Sequence, residues 1–198
     1  MAGKRGSYAK SELRKQAISE AALALIMERG HRAVTVAEVA DRAGVSEPSV
    51  FYHFPTKEAL LVAALRQFDA ENIRPLGVGG AIADMPSRAE AGVRREHHIR
   101  LQAEMSGAAA YAEHPAREYF RDRWERSFQV VAEDIAMLQK DGVVPATVDA
   151  KHAARVLLAT WEGLQVQWMH GPEFDIRGEI AAVIHAVLDL DESFRFTD

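Results

Sequence analysis

The chain has 198 residues, 48% of them hydrophobic, and a formal net charge of −5. That apolar content is enough for a packed core and excludes a disordered or fibrous chain. The lack of cysteine excludes disulfides, thiolate metal sites and thiol nucleophiles.

The charge is unevenly spread. Residues 1–60 hold nine Lys/Arg against seven Asp/Glu, whereas residues 61–198 hold fifteen against twenty-two. Within residues 1–15, Lys4, Arg5, Lys10, Arg14 and Lys15 face a single acid, Glu12. This basic start fits phosphate binding as well as a solvated tail. It lacks the apolar stretch of a secretory signal, and no apolar run approaches a membrane span. The expected location is cytoplasmic, with no membrane partner.

From Ser11 to Arg29, Leu13, Ala17, Ile18, Ala21, Ala22, Leu25 and Ile26 recur at helical spacing until Gly30 stops the helix. Thr35, with Glu38 three residues on, forms a capping box that opens a short second helix ending at Ala43-Gly44. Ser46 caps a third helix that accepts Pro48 in its first turn and stops at Pro55. Thr56 caps a fourth, running through Leu60, Leu61, Ala64, Leu65 and Phe68.

The stretch from Pro75 to Pro86 reads as a linker or loop. Its glycines lack the preceding strand and the Lys-Ser/Thr of a phosphate cradle. A helix over about 87–109 carries the stripe Val93, His97, Leu101, Met105 and Ala108. Pro115 opens a long helix striped by Phe120, Trp124, Phe128, Val131, Ile135 and Leu138 and ended by Asp141-Gly142. Its opposite face offers the ion pairs Arg121–Glu125 and Asp122–Arg126.

Two further helices, about 149–169 and 175–190, are separated by Gly171-Pro172. The first is apolar nearly all round, through Leu157, Trp161, Leu164 and Trp168 on one side and Val156, Gly163 and Val166 on another. The last has one stripe: Ile176, Ile180, Val183, Ile184 and Val187. Packing these two helices against the same pair of a second chain would bury both. No segment alternates with strand period. The predicted class is all-α: an N-terminal three-helix helix-turn-helix DNA-binding domain over 1–68 and a larger helical ligand-binding and dimerisation domain over 69–198.

In a helix-turn-helix the second helix of the pair enters the major groove while the first braces it. Val39, Ala43, Val45, Val50 and Phe54 would form the small apolar interior, leaving Glu47, Pro48, Ser49, Phe51, Tyr52 and His53 as candidates to face DNA. Tyr52 and His53 can donate to phosphates, and Ser49 can reach a base edge or a phosphate. Thr35 and Lys57 stand at the starts of flanking helices, where free N–H groups attract anions. Thr35, Ser46 and Thr56 serve as caps, with or without a DNA contact. Phe51 fits the core or the DNA face equally well. Glu47 is unfavourable near phosphates and suits either its own helix start or a cytosine amino group.

The run Thr35-Val36-Ala37-Glu38-Val39-Ala40, then Ala43-Gly44-Val45-Ser46, Phe51-Tyr52-His53-Phe54 and Lys57-Glu58-Ala59-Leu60 resembles the N-terminal signature of the tetracycline-repressor (TetR) family of bacterial regulators. Order and spacing match over about residues 11–68. Two later runs, from His114-Pro115 to Phe120 and from Trp161-Glu162 to Trp168, look like C-terminal domains of one branch of that family. The resemblance implies an all-helical homodimer whose N-terminal domains bind a palindromic operator on double-stranded DNA, with an effector pocket in the C-terminal domain. Carried over residue by residue, phosphate contacts fall on Thr35, Tyr52, His53 and Lys57. Phe51 stands where tyrosine is common, and Glu47-Pro48 where Lys/Arg and Gly are frequent.

A largely apolar small-molecule effector would be lined by some of His97, Leu101, Met105, Phe120, Trp124, Trp161, Gln165 and Trp168, although each one taken singly fits an ordinary core better. His97 lies on the apolar stripe and is the preferred polar anchor; His98 turns toward Arg94, Arg95 and Gln102. No two histidines stand four apart, so no metal clamp is expected, and no cofactor. No nucleophile elbow or spaced carboxylate pair suggests an enzyme. The expected function is a ligand-responsive transcriptional regulator, a repressor rather than an activator.

Overall fold

A computed structural model describes residues 2–72, 80–171, 174–191 and 193–197, with side chains from Ala9 onward. Among these residues there are nine α-helices, one 3-10 turn and no strand. The helices are α1 (Ala2–Arg29), α2 (Val36–Arg42), α3 (Glu47–His53), α4 (Lys57–Asn72), α5 (Gly80–Val93), α6 (Glu96–Ala108), α7 (Arg117–Lys140), α8 (Ala150–Met169) and α9 (Ile176–Leu188). They form two compact units: residues 1–73 with 100–120, and residues 74–99 with 121–198.

In the first unit α1 packs against α4 and also touches α2 and α3. Ile18, Ala22 and Ile26 of α1 and Leu60, Ala64 and Leu65 of α4 are buried at helical spacing. Burial of each large aliphatic side chain here stabilises by about 2 kcal/mol. α1 starts well before the expected Ser11. Its residues 12–16 are exposed, and Leu13, expected in the core, is 68% exposed. Its buried stripe begins in effect at Ala17, the first residue after the exposed run 12–16.

The segment 100–120 is fastened to these helices by polar groups. His31, in the 3-10 turn His31–Ala33, is buried, and its Nε2 lies 3.1 Å from the Glu104 carboxylate of α6. Arg32 donates to the same oxygen from Nε (3.0 Å) and a terminal nitrogen (2.8 Å). Partial burial pushes the Glu104 carboxyl up, but hydrogen bonds from Arg32 and His31 more than reverse this and hold it below the ordinary range. Buried Tyr119 of α7 donates its O–H to Asp69 of α4 at 2.8 Å, and the Arg66 guanidinium lies 5.2 Å over the tyrosine ring.

In the second unit α5 packs on α8 and α9, and α8 on α9. Ile82, Met85, Ile135, Leu157, Ile180 and Ile184 are at its centre. The Ile82 N–H, in the first turn of α5, donates to the buried Asp134 carboxylate of α7 at 2.9 Å. A side chain from another helix thus supplies the acceptor that the start of α5 requires. The tail after α9 folds back: Thr197 N–H donates to Ala83 O at 2.9 Å, and Phe194 and Phe196 meet the His185 ring edge to face.

Several expected boundaries move. Residues 80–86 belong to α5, with Pro86 inside it, because burial of Met85, Pro86 and Ala89 outweighs one missing backbone donor. Pro75–Gly79 lie outside the described residues. The single helix expected over 87–109 is two, broken by a turn at Arg94-Arg95. α7 begins at Arg117, two residues after Pro115. On its surface Arg121 pairs with Asp122 at 3.0 Å and Gln129 with Glu125 at 2.9 Å. α9 ends at Leu188, with Asp189 in the left-handed region.

Loss of the Tyr119 hydroxyl leaves the buried Asp69 short of one donor. Tyr119→Phe is expected to lower stability by about 1–2 kcal/mol, read as a lower urea midpoint at unchanged slope. An unchanged midpoint would show that this bond adds nothing to the first unit.

Candidate nucleic-acid interface

The turn between α2 and α3 is set by Gly44, whose φ of +66° lies in the region that L side chains rarely adopt. Its N–H donates to Asp41 O at 3.1 Å, and Val45 N–H to Ala40 O at 3.0 Å, closing α2 and aiming α3. Val39, Ala40, Val50 and Phe54 are buried, while Ala43 and Val45, also expected inside, are only half-buried. Val50 and Phe54 are one helical turn apart, so burying both turns the rest of α3 outward.

That outward surface carries most of the expected DNA-facing residues. Glu47 and Pro48 are exposed, Ser49 and His53 half-buried, and Tyr52 is 81% exposed. Tyr52 and His53 meet edge to face with centroids 5.2 Å apart, which limits both rings to a shared orientation. Phe51 is 44% exposed, so the structure selects the surface from its two sequence readings.

The flanking helix starts differ in how they are capped. Thr35 Oγ1 accepts from Glu38 N–H at 3.3 Å, and the Glu38 carboxylate accepts from the Thr35 N–H at 2.9 Å and hydroxyl at 2.8 Å. Arg29 adds a bond to Glu38 at 2.9 Å. The Thr35 backbone N–H, then its hydroxyl and the Arg29 guanidinium, hold the Glu38 carboxyl down at about 2. Thr56 caps α4 by accepting from Ala59 N–H at 3.1 Å, with Lys57 following it. Ser46 occupies the cap position of α3 with extended backbone, but its hydroxyl makes no capping bond. The expectation that Ser46 caps with its side chain is therefore corrected. Pro48 already removes one of the donors such a cap would serve.

The residues expected around an effector divide between the units. Leu101, Met105 and Phe120 are buried in the first. In the second, Gln165 is buried and His97, Trp124, Trp161 and Trp168 are half-buried. The two histidines exchange places: His98 is buried and His97 only half-buried, because the break at Arg94-Arg95 resets the helical phase. α8 is less enclosed than its composition implied, with Val166 43% exposed. On α9, Ile184 is wholly buried and Val183 half-buried, so only Val183 of that pair is open to a second chain.

Sequence reasoning passed over Glu162 of α8. It is half-buried, and loss of water pushes its carboxyl up to about 7, with Arg123 pulling the other way. A Glu between Trp161 and the buried Gln165 was the available signal. Among the described residues, no group of three His, Cys, Asp or Glu is placed to hold a metal ion, and no helix is long and apolar enough to cross a membrane.

Comparison with known proteins gives a consistent picture. Residues 18–64 match the family described as bacterial regulatory proteins of the tetR family. Residues 89–191 match the C-terminal domain of BetI-type transcriptional repressors. The HTH-type transcriptional regulator RutR of Escherichia coli K12 is 43% identical over 54 residues, covering 27% of this chain and 26% of RutR. The transcriptional repressor KstR2 of Mycobacterium tuberculosis H37Rv is 42% identical over 55 residues, 28% of each chain. The match thus spans about a quarter of the length of these curated relatives. Over longer spans, a TetR-family regulator from Rhodococcus sp. superposes with a TM-score of 0.66 at 24% identity, covering 88% of this chain and 98% of that one. A transcriptional regulator from Saccharomonospora viridis, solved in complex with choline, gives a TM-score of 0.65 at 26% identity, with 88% and 96% covered.

The Glu162 carboxyl links stability to pH. Its proton stays on in the folded state up to about pH 7, whereas in the unfolded chain it leaves near pH 4.3. The stability it contributes is full below the unfolded value and is lost as pH rises through about 7. Glu162→Gln should therefore match the wild type near pH 4 and exceed it at pH 8 by about 1–2 kcal/mol, after allowing for solvent screening. Urea melts at the two pH values check this; a pH-independent difference would rule it out.

Proposed function

This chain belongs to the TetR family of bacterial regulators, and on that premise we propose that it is a cytoplasmic, homodimeric transcriptional repressor that leaves a palindromic operator when a small molecule binds. It has no catalytic role. Residues 1–68 supply the reading portion and the remainder the effector site and the dimer contact.

The observation that carries this reading is the division of α3. Val50 and Phe54 are buried, while Tyr52 is exposed beside His53 between two capped helix starts. Lys57 at the start of α4, with Tyr52 and His53, supplies donors or positive charge for phosphate oxygens; Thr35 at the start of α2 joins them only by giving up the N–H or hydroxyl bond that it makes to Glu38. Ser46, without a capping bond, and Ser49 add hydroxyls. Glu47, Pro48 and Phe51 occupy the part of α3 that would meet base edges.

The effector is a largely apolar small molecule held beside α8, by Trp161, Gln165 and Trp168 with His97 and Trp124 nearby in the same unit. Aromatic walls with a few polar groups suit such a ligand; that the Saccharomonospora viridis relative is solved with choline, a charged small molecule, supports a small-molecule effector of some kind. Leu101, Met105 and Phe120, also expected to line the site, are buried in the first unit.

The direct test is binding of the full chain to duplex DNA from upstream of its own coding region, at rising salt, with and without candidate effectors. Operator-specific binding released by a small molecule supports the proposal; a chain that binds ligands but no duplex would be a carrier instead. Lys57→Ala should weaken binding to operator and random duplex alike and lower the salt slope by about one. Loss confined to the operator would remove Lys57 from the phosphate contacts.

Val183→Asp should split the dimer and abolish operator binding, because both half-sites must be held together. Light scattering checks the assembly, and a variant that remains dimeric would place the interface elsewhere.

A further inference from the structure

We propose that Glu47 and Phe51 read bases directly, Glu47 a cytosine and Phe51 a thymine, no more than two base-pair steps apart in each half-site. This rests on the reading of α3 as the helix that enters the major groove.

The two residues stand four apart on α3 and therefore share one face. Both are exposed, Phe51 to 44%, on the flank of α3 next to the buried Val50 and Phe54, each of which stands three residues after one of them. Glu47 lies in the first turn, the part of a recognition helix that reaches furthest into the groove.

A carboxylate can only accept hydrogen bonds, and phosphates repel it. In the major groove, guanine offers two acceptors and thymine an acceptor and a methyl. Adenine places its one donor beside the N7 acceptor, whereas cytosine shows its amino donor alone. Cytosine is therefore the base edge that best suits Glu47. Phe51 offers neither donor nor acceptor, and the apolar group on any base edge in this groove is the thymine C5-methyl. Tyrosine at this position would bring a hydroxyl for a phosphate; phenylalanine exchanges that general contact for an apolar one.

The spacing follows from the helix rise. Four residues advance about 6 Å along α3, and successive base pairs are about 3.4 Å apart. The two contacts therefore fall within two steps of each other.

The test is selection from a random duplex library with the full-length wild type, Glu47→Gln and Phe51→Ala. The wild type should enrich a cytosine and a thymine within two steps in each half-site. Glu47→Gln should move the cytosine preference to adenine, whose N6 and N7 suit a carboxamide. Replacing the selected thymine by deoxyuridine removes only the methyl and leaves the protein untouched. This should weaken the wild type roughly tenfold and leave Phe51→Ala unchanged. Glu47→Gln, which removes a charge that phosphates repel, should bind random DNA at least as tightly as the wild type.

Enrichment of one sequence by all three proteins, or indifference of the wild type to deoxyuridine, would overturn the base assignments while leaving the regulator intact. A wild type that binds every duplex equally would overturn them as well. A full-length chain that binds no duplex would instead remove the regulator reading on which they rest.

Discussion

Burial of Val50 and Phe54 is the constraint on which the reading surface depends. α3 has only seven residues, too few to be stable alone, so its position comes from these two side chains. Because they are one helical turn apart, fixing both removes rotation about the axis as well as sliding along it. Tyr52 and His53 are then pointed outward without needing contacts of their own. The brace is α2, whose buried Val39 and Ala40 close the same small core. Gly44 sets the angle between the two helices through a backbone conformation that other residues adopt only under strain.

Electrostatics around this surface follow the same division. Glu38 could have opposed a phosphate near the start of α2, yet its charge is absorbed by the Thr35 N–H, the Thr35 hydroxyl and Arg29. The capping box therefore orders α2 and also occupies a carboxylate that would otherwise repel DNA. Glu104 acts similarly toward His31 and Arg32, at a greater distance along the chain. Glu47 differs from both: it lies exposed on the reading helix, where a negative charge is useful only against a donor.

Much of this was legible in the sequence because the signals were local. The Thr35–Glu38 pair, the Gly44 turn and the Thr56 cap are each decided within four residues, and each forms in the structure. The stripe Val131, Ile135 and Leu138 was equally readable. What escaped was decided by distant groups or by the phase of a helix. The start of α5 depends on Asp134, 52 residues away, and nothing near Gly80 announces it. The turn at Arg94-Arg95 exchanged the burial of His97 and His98, since one residue of phase rotates a side chain by about 100°. Glu162 looked like one charge among many until its partial burial was visible.

The discontinuity of the first unit has a consequence for biosynthesis. His31 and Arg32 find Glu104, and Asp69 finds Tyr119, only after some fifty to seventy intervening residues have been made. During translation, α1 to α4 are made before those partners, so the emerging helices pass through an interval without the Glu104 and Tyr119 bonds. Their stability in that interval comes from the packing of α1 to α4 on one another. Release from the tunnel of residues near 120 is the event that completes the unit. Slow codons or chaperone contacts before that point would therefore act on a half-finished reader.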